Sequence, residues 1–154
     1  MKKLASIILS LCIILILTAC SMPNRDITIQ VAFATDELLN QYENFHTFIH
    51  VEEAEYMIIM TDTPITNFAF ISVGNSFDLA DWDIDEDTEL YFFAEDVLYS
   101  AGELTPETPF MVRTWGDWGM MPRIGITFTD ASNVTRYFHI QQSMMDGELH
   151  ITQF

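Results

Sequence analysis

From Ile27 onward one pattern dominates the chain. Short runs rich in Val, Ile, Phe, Tyr and Thr alternate apolar with polar residues, and turn residues separate them about every eight to twelve positions. A period of two sends successive side chains to opposite faces of an extended strand, so the chain cannot bury these residues as helices. The expected strands are Ile27 to Ala34, His46 to Val51, Tyr56 to Thr61, Ile65 to Val73, Glu89 to Phe93, Phe110 to Trp115, Ile124 to Thr129, Val134 to Gln141 and Leu149 to Phe154. The clearest is the C-terminal part. There Ile124, Ile126 and Phe128 alternate with Gly125, Thr127 and Thr129, and Asp130-Ala131-Ser132-Asn133 turns the chain into Val134-Thr135-Arg136-Tyr137-Phe138. A second turn at Asp146-Gly147 leads into Leu149-His150-Ile151-Thr152, giving a three-stranded meander. Only Thr35 to Asn44 has helical character, with Thr35 as a cap, Asp36 and Glu37 in the first turn, and Leu38, Leu39 and Tyr42 on one face.

About nine short strands with at most one short helix imply an all-β fold, a single antiparallel β-sandwich, immunoglobulin-like or related. The Cys-Trp-Cys signature of true immunoglobulin domains is absent. No repeat, low-complexity tract or second hydrophobic unit calls for another domain.

The first nineteen residues differ in kind. Met1-Lys2-Lys3 precedes an apolar run from Leu4 to Leu17, broken only by Ser6 and Ser10, which is the charged and apolar order of an export signal. At about 1.5 Å per helical residue this run spans roughly 21 Å, short of the ~30 Å hydrocarbon core that a permanent transmembrane helix must cross. It closes on Leu17-Thr18-Ala19-Cys20. That tetrapeptide resembles the lipobox of bacterial lipoproteins, which implies cleavage before Cys20 and diacylglycerol on its thiol. Two acyl chains meet the condition for stable attachment, since each buried methylene contributes about 0.8 kcal/mol and one chain holds only marginally. The alternative is an uncleaved anchor, which keeps the protein on a membrane but leaves Cys20 unmodified. The stretch from Gly102-Glu103-Leu104-Thr105-Pro106 through Met145-Asp146-Gly147 also resembles small uncharacterised lipoproteins of Gram-positive bacteria. The expected organisation is therefore a removed signal peptide (1–19), a lipidated cysteine with a short tether (20–25), and a β-sandwich domain (26–154) at the extracytoplasmic face of the cell membrane.

Loss of the signal leaves 135 residues, enough for one core. Cys12 leaves with it, so the mature domain has neither an internal disulfide nor a free thiol for nucleophilic or redox chemistry. The remaining basic residues are Arg25, Arg113, Arg123 and Arg136, against 23 acidic ones, a net charge of −19. Nucleic acid is excluded as a partner, because its binding rests on counterion release by Lys and Arg. The same charge favours cationic partners and divalent ions and keeps the domain off anionic headgroups.

The densest polar run, Asp81-Trp82-Asp83-Ile84-Asp85-Glu86-Asp87-Thr88-Glu89, sets Asp81, Asp83, Asp85 and Asp87 at alternate positions. Such oxygens suit calcium at weak, extracellular-type affinity of about 0.1 to 1 mM. An EF-hand loop is excluded, since counting from Asp81 puts Glu86 where Gly is needed and Phe92 where Glu is needed. The competing reading is a solvated acidic loop that protects a sheet edge. His46 and His50 share a strand face but stand about 13 Å apart, too far for one metal, and nothing in the sequence brings His139 or His150 to them.

Catalytic signatures are lacking: there is no G-x-S-x-G elbow, S-x-x-K motif or glycine-rich phosphate loop, and no lysine beyond Lys3. No enzyme activity and no obligatory cofactor are expected. The segment Trp115-Gly116-Asp117-Trp118-Gly119-Met120-Met121-Pro122 joins two expected strands and offers aromatic and thioether surface. Trp115, Trp118 and Met120, flanked by Arg113 and Arg123, form the candidate contact surface, because indole faces stack on sugars, prolines or cations and methionine adapts to varied apolar partners. Against this stands a structural role for both tryptophans inside or at the end of the sandwich. The reading is a lipid-anchored cell-surface binding or protein-interaction module, meeting an envelope protein or small ligand through loops. An envelope hydrolase using paired carboxylates, or a weak calcium-binding protein, is the alternative.

Overall fold

The computed structural model describes residues 27–76, 89–115 and 121–154. It is an all-β sandwich. One sheet has four strands in the order β1-β3-β6-β2: β1 (Ile29–Phe33), β3 (Tyr56–Thr61), β6 (Phe110–Arg113) and β2 (His46–Ile49). The other has five in the order β5-β4-β7-β8-β9: β5 (Phe92–Leu104), β4 (Ile65–Asn75), β7 (Ile124–Thr129), β8 (Thr135–Gln142) and β9 (Leu149–Gln153). The order differs from the ABED and CFG sheets of an immunoglobulin constant domain.

Alternation fixes which face of each strand enters the core. In β7, Ile124, Ile126 and Phe128 point inward, and they pair across β8 with Ile140, Phe138 and Arg136. Phe128 stacks on Phe138 with ring centroids 5.6 Å apart. Phe68 and Phe70 of β4 and Tyr99 of β5 lean onto Phe110 of the opposite sheet at 5.1, 5.8 and 5.3 Å. Phe110, Phe68, Phe70 and Phe128 are all essentially inaccessible to solvent. Rings at these separations interact beyond their area burial by about 0.5–1.5 kcal/mol per pair.

The C-terminal meander matches the sequence reading, and the turn chemistry explains it. The Asp130 carboxylate accepts from the backbone N–H of Ser132 and Val134 at 2.9 Å each and from Arg136 Nε at 2.9 Å, while Asn133 takes a left-handed φ of 61°. Three expectations need adjustment. The helix is one turn, α1 (Asp36–Leu39), with Thr35 capping it by accepting from Leu38 N–H, where the sequence suggested ten residues. A turn this short has no stability of its own, and residues 40–45 leave the helix to carry the chain back to the start of β2. That return makes β2 parallel to β6, His46 beside Phe110 and Ile49 beside Arg113, an exception in an otherwise antiparallel sandwich. Finally, β5 runs thirteen residues from Phe92 where the sequence suggested Glu89 to Phe93. The pairing of β4 with β5 has four irregularities, at Asn67, Ala101, Leu98 and where Glu95 and Asp96 together face Ser72, and each resets the alternation. Asn67, at φ 51°, is the extra residue against both neighbours of β4 and ties the bulge down by donating to Thr129 Oγ1 at 3.1 Å.

Phe110→Ala is expected to cost about 3–5 kcal/mol, because it removes a fully buried ring touched by three others and leaves a cavity that two sheets cannot both close. Guanidinium unfolding of the full-length chain checks this; a midpoint within error of the parent rules out Phe110 as the inter-sheet wedge.

Candidate functional site

The register gives the sandwich two distinct ends. Ile29, where β1 starts, pairs with Thr61 at the end of β3, whereas Tyr56 at the start of β3 pairs with Arg113 at the end of β6. Five residues of β3 separate these pairs, about 17 Å of extended chain. The chain thus enters at one end and presents Trp115 at the other. At the entry end also lie the Asp130–Asn133 turn and a groove of about 390 Å³ lined by Tyr42, Glu43, Pro106 and Glu107.

At the far end Arg113 is committed within the fold. Its Nε donates to Ala54 O at 2.9 Å, Nη1 stands 3.6 Å from Glu52 Oε2, and the guanidinium lies 5.3 Å above the Tyr56 ring. Its carbonyl accepts from the N–H groups of both His50 and Val51, so this residue closes the 51–55 turn. Beside it His50 Nδ1 and Thr114 Oγ1 are 3.1 Å apart. Trp115 follows, 56 % exposed. Arg123 is exposed on the other sheet, where its carbonyl accepts from Val73 N–H at 2.8 Å. Trp118 and Met120 lie outside the described residues, as do Cys20 and the aspartates Asp81, Asp83, Asp85 and Asp87. The described residues on either side of 77–88 meet at the same far end: Ser76 Oγ donates to Glu89 O at 2.8 Å and accepts from Tyr91 N–H at 3.2 Å.

Among the described residues no three His, Cys, Asp or Glu side chains converge on a metal position. His46 and His50 follow one another along one edge, and His139 and His150 sit on β8 and β9 of the other sheet. Among the described residues three carboxyls have lowered pKa values. For Asp62, burial pushes upward but hydrogen bonds from Thr28 and Thr63 outweigh it. Val134 N–H holds Asp130 down, helped by Arg136, and the Ser143 hydroxyl and Glu148 N–H hold Asp146 down. These groups brace turns as anions. A general acid needs a shift in the opposite sense.

Sequence reasoning missed the arrangement around His139. The outer face of the five-stranded sheet carries a second apolar cluster, Ala69, Ile71 and Val73, covered by Phe92 and Phe154. His139 is buried within it, its ring 4.8 Å from Phe92 and 6.0 Å from Phe154, and its Nδ1 has no hydrogen-bond partner. Directly across the ladder is Gly125, where a Cβ would stand 2.2 Å from the Phe138 carbonyl oxygen and 2.9 Å from Val73. A glycine opposite a histidine in an alternating strand was the only signal available. No helix among the described residues is long and apolar enough to cross a membrane. No protein family, curated protein or solved structure matches the chain.

Burial holds the His139 pKa below its ordinary value of 6.5. The unfolded chain therefore binds a proton that the folded chain refuses, and stability falls as pH drops from about 6.5 toward the folded value. Replacing His139 by Phe is expected to flatten that decline while leaving the separate loss at lower pH, where the bracing aspartates, held below their ordinary 3.8, take up protons. Urea midpoints measured from pH 7.5 to 3.5 check it; an unchanged slope between 6.5 and 5 in the variant refutes the assignment.

Proposed function

We propose that this chain is a lipid-anchored extracytoplasmic binding module, held by diacylglycerol on Cys20 and meeting its ligand or envelope partner with the end of the sandwich that carries Trp115. The observation that carries the reading is the opposition of the two ends: β1 starts beside Thr61, and Trp115 emerges beyond Arg113 at the other end of β3. Seven residues from Cys20 to Ile27 reach at most about 24 Å, so the entry end stays near the bilayer while the Trp115 end faces outward. The exposed indole supports the reading, because Trp offers a large contact area with only two side-chain torsions to fix. The net charge of −19 after processing is compatible with it, since repulsion from anionic headgroups keeps the domain off the bilayer surface.

Two measurements test the proposal. The intact mass of the protein from its own envelope is expected to begin at a diacylated Cys20, with Cys20→Ala unprocessed or released; an unmodified full-length chain sinks the anchor. Then, since the mature chain has no other cysteine beyond the lipidated one, Trp115→Cys and Glu107→Cys can each carry a fluorophore in proteoliposomes. Lipid-bound quenchers are expected to dim the probe at position 107 and spare the one at 115. Equal quenching overturns the outward orientation.

A further inference from the structure

The turn between β8 and β9 carries the two most exposed large apolar side chains among the described residues, Met144 at 75 % and Met145 at 98 %. The turn itself is firmly held. Ser143 N–H donates to Glu148 O at 2.8 Å, Gly147 N–H to Ser143 O at 2.9 Å, Gln142 Nε2 to Gly147 O at 3.0 Å, and Met145 N–H to Ser143 Oγ at 3.2 Å. Gly147 supplies the left-handed φ of 75° that the turn requires. All of these bonds use backbone, Ser, Gln and Gly groups, so the two thioethers add nothing to the turn, and polar residues would satisfy it as well.

A third thioether shares this end. Ile124 pairs with Ile140, so Met121, three residues before Ile124, and Met144, four after Ile140, continue past the same ends of neighbouring strands. His150 is the residue of β9 opposite Gln141, and it is close enough to Asp146 to favour that carboxylate electrostatically. Thioethers are soft donors that discriminate against calcium, magnesium and other oxygen-seeking ions, and imidazole is compatible with copper. The domain after Cys20 has no thiol, so methionine provides all its soft ligation.

We propose that Met121, Met144 and Met145, with the imidazole of His150, form a soft-metal site that takes a monovalent d10 ion, copper(I) or its analogue silver(I). Neutral thioethers suit an ion of single charge, and the surrounding negative charge of the domain raises its local concentration. His150 is exposed on β9 and Met144 and Met145 lie in the turn beside it, so their side chains are open to an ion without a change of strand pairing. It is independent of the anchor on Cys20.

The test uses the full-length protein in detergent micelles with 13C-methyl-labelled methionine, titrated with silver(I) and, without oxygen, with copper(I) against a competing chelator. The methyl signals of Met121, Met144 and Met145 are expected to shift together and saturate near one equivalent, with zinc(II) and calcium leaving them in place. The double variant Met144→Leu/Met145→Leu is expected to bind at least about tenfold more weakly, at an unchanged unfolding temperature because both side chains are solvated. Met121→Leu and His150→Ala are expected to weaken binding as well. Absence of a saturable shift, or full affinity in the double variant, overturns the site; full affinity in both Met121→Leu and His150→Ala overturns the shared ligand set.

Discussion

Phe110 holds the two sheets in one arrangement. It comes from a four-residue strand in the middle of the smaller sheet, yet its ring meets Phe68, Phe70 and Tyr99 from the larger one. Each of those residues lies on a strand whose register is set elsewhere, β4 by β7 and β5 by the bulges, so the ring contacts lock two independently built ladders together. The described residues contain no cysteine, so the sandwich depends on such interdigitation, since no disulfide within it limits the sliding of one sheet over the other.

The direction of β3 decides which features share an end of the sandwich. Because β1 and β6 both run antiparallel to it, the chain's entry and Trp115 fall at opposite ends, and so do the Asp130–Asn133 turn and the turn bearing Met144 and Met145. One end of the sandwich thus carries the chain's entry and the Asp130–Asn133 turn, and the other carries Trp115 and the Met144–Met145 turn. The contacts of Arg113 lie at the Trp115 end. By holding the 51–55 turn through Ala54 and Glu52, this residue supports the strand from which Trp115 projects.

The larger sheet is buried on both faces near β4. Ile71 and Val73 point away from the main core but are as buried as residues within it, under Phe92 and Phe154. Gly125 permits this by letting β8 approach where any side chain would collide with the Phe138 carbonyl. The consequence is a histidine kept neutral by its surroundings, placed on the surface layer of the sandwich where its protonation opposes folding. At the exposed edge of the same sheet Glu95, Asp96 and Glu103 of β5 charge a strand that could otherwise pair with another chain.

Alternation determined by itself the class of fold, the strands β3, β6, β7, β8 and β9 to within a residue or two, and the meander, because a period of two and the Asp-rich turns are local properties that each segment carries alone. It could not determine the length of β5, whose irregularities at Glu95–Asp96, Leu98 and Ala101 break the period only because β4 lies alongside. Nor could it foresee the parallel β2, since a strand's direction depends on where the preceding segment delivers it. Of the candidate site, Trp115 was legible as an aromatic at a strand end, while the commitment of Arg113 to Ala54, Glu52 and Tyr56 was not. The burial of His139 and the shared end of Met121 and Met144 likewise arise from residues far apart in the chain. Tertiary structure decided these because register between strands is a non-local quantity, and sequence pattern reports only what neighbours along the chain can impose.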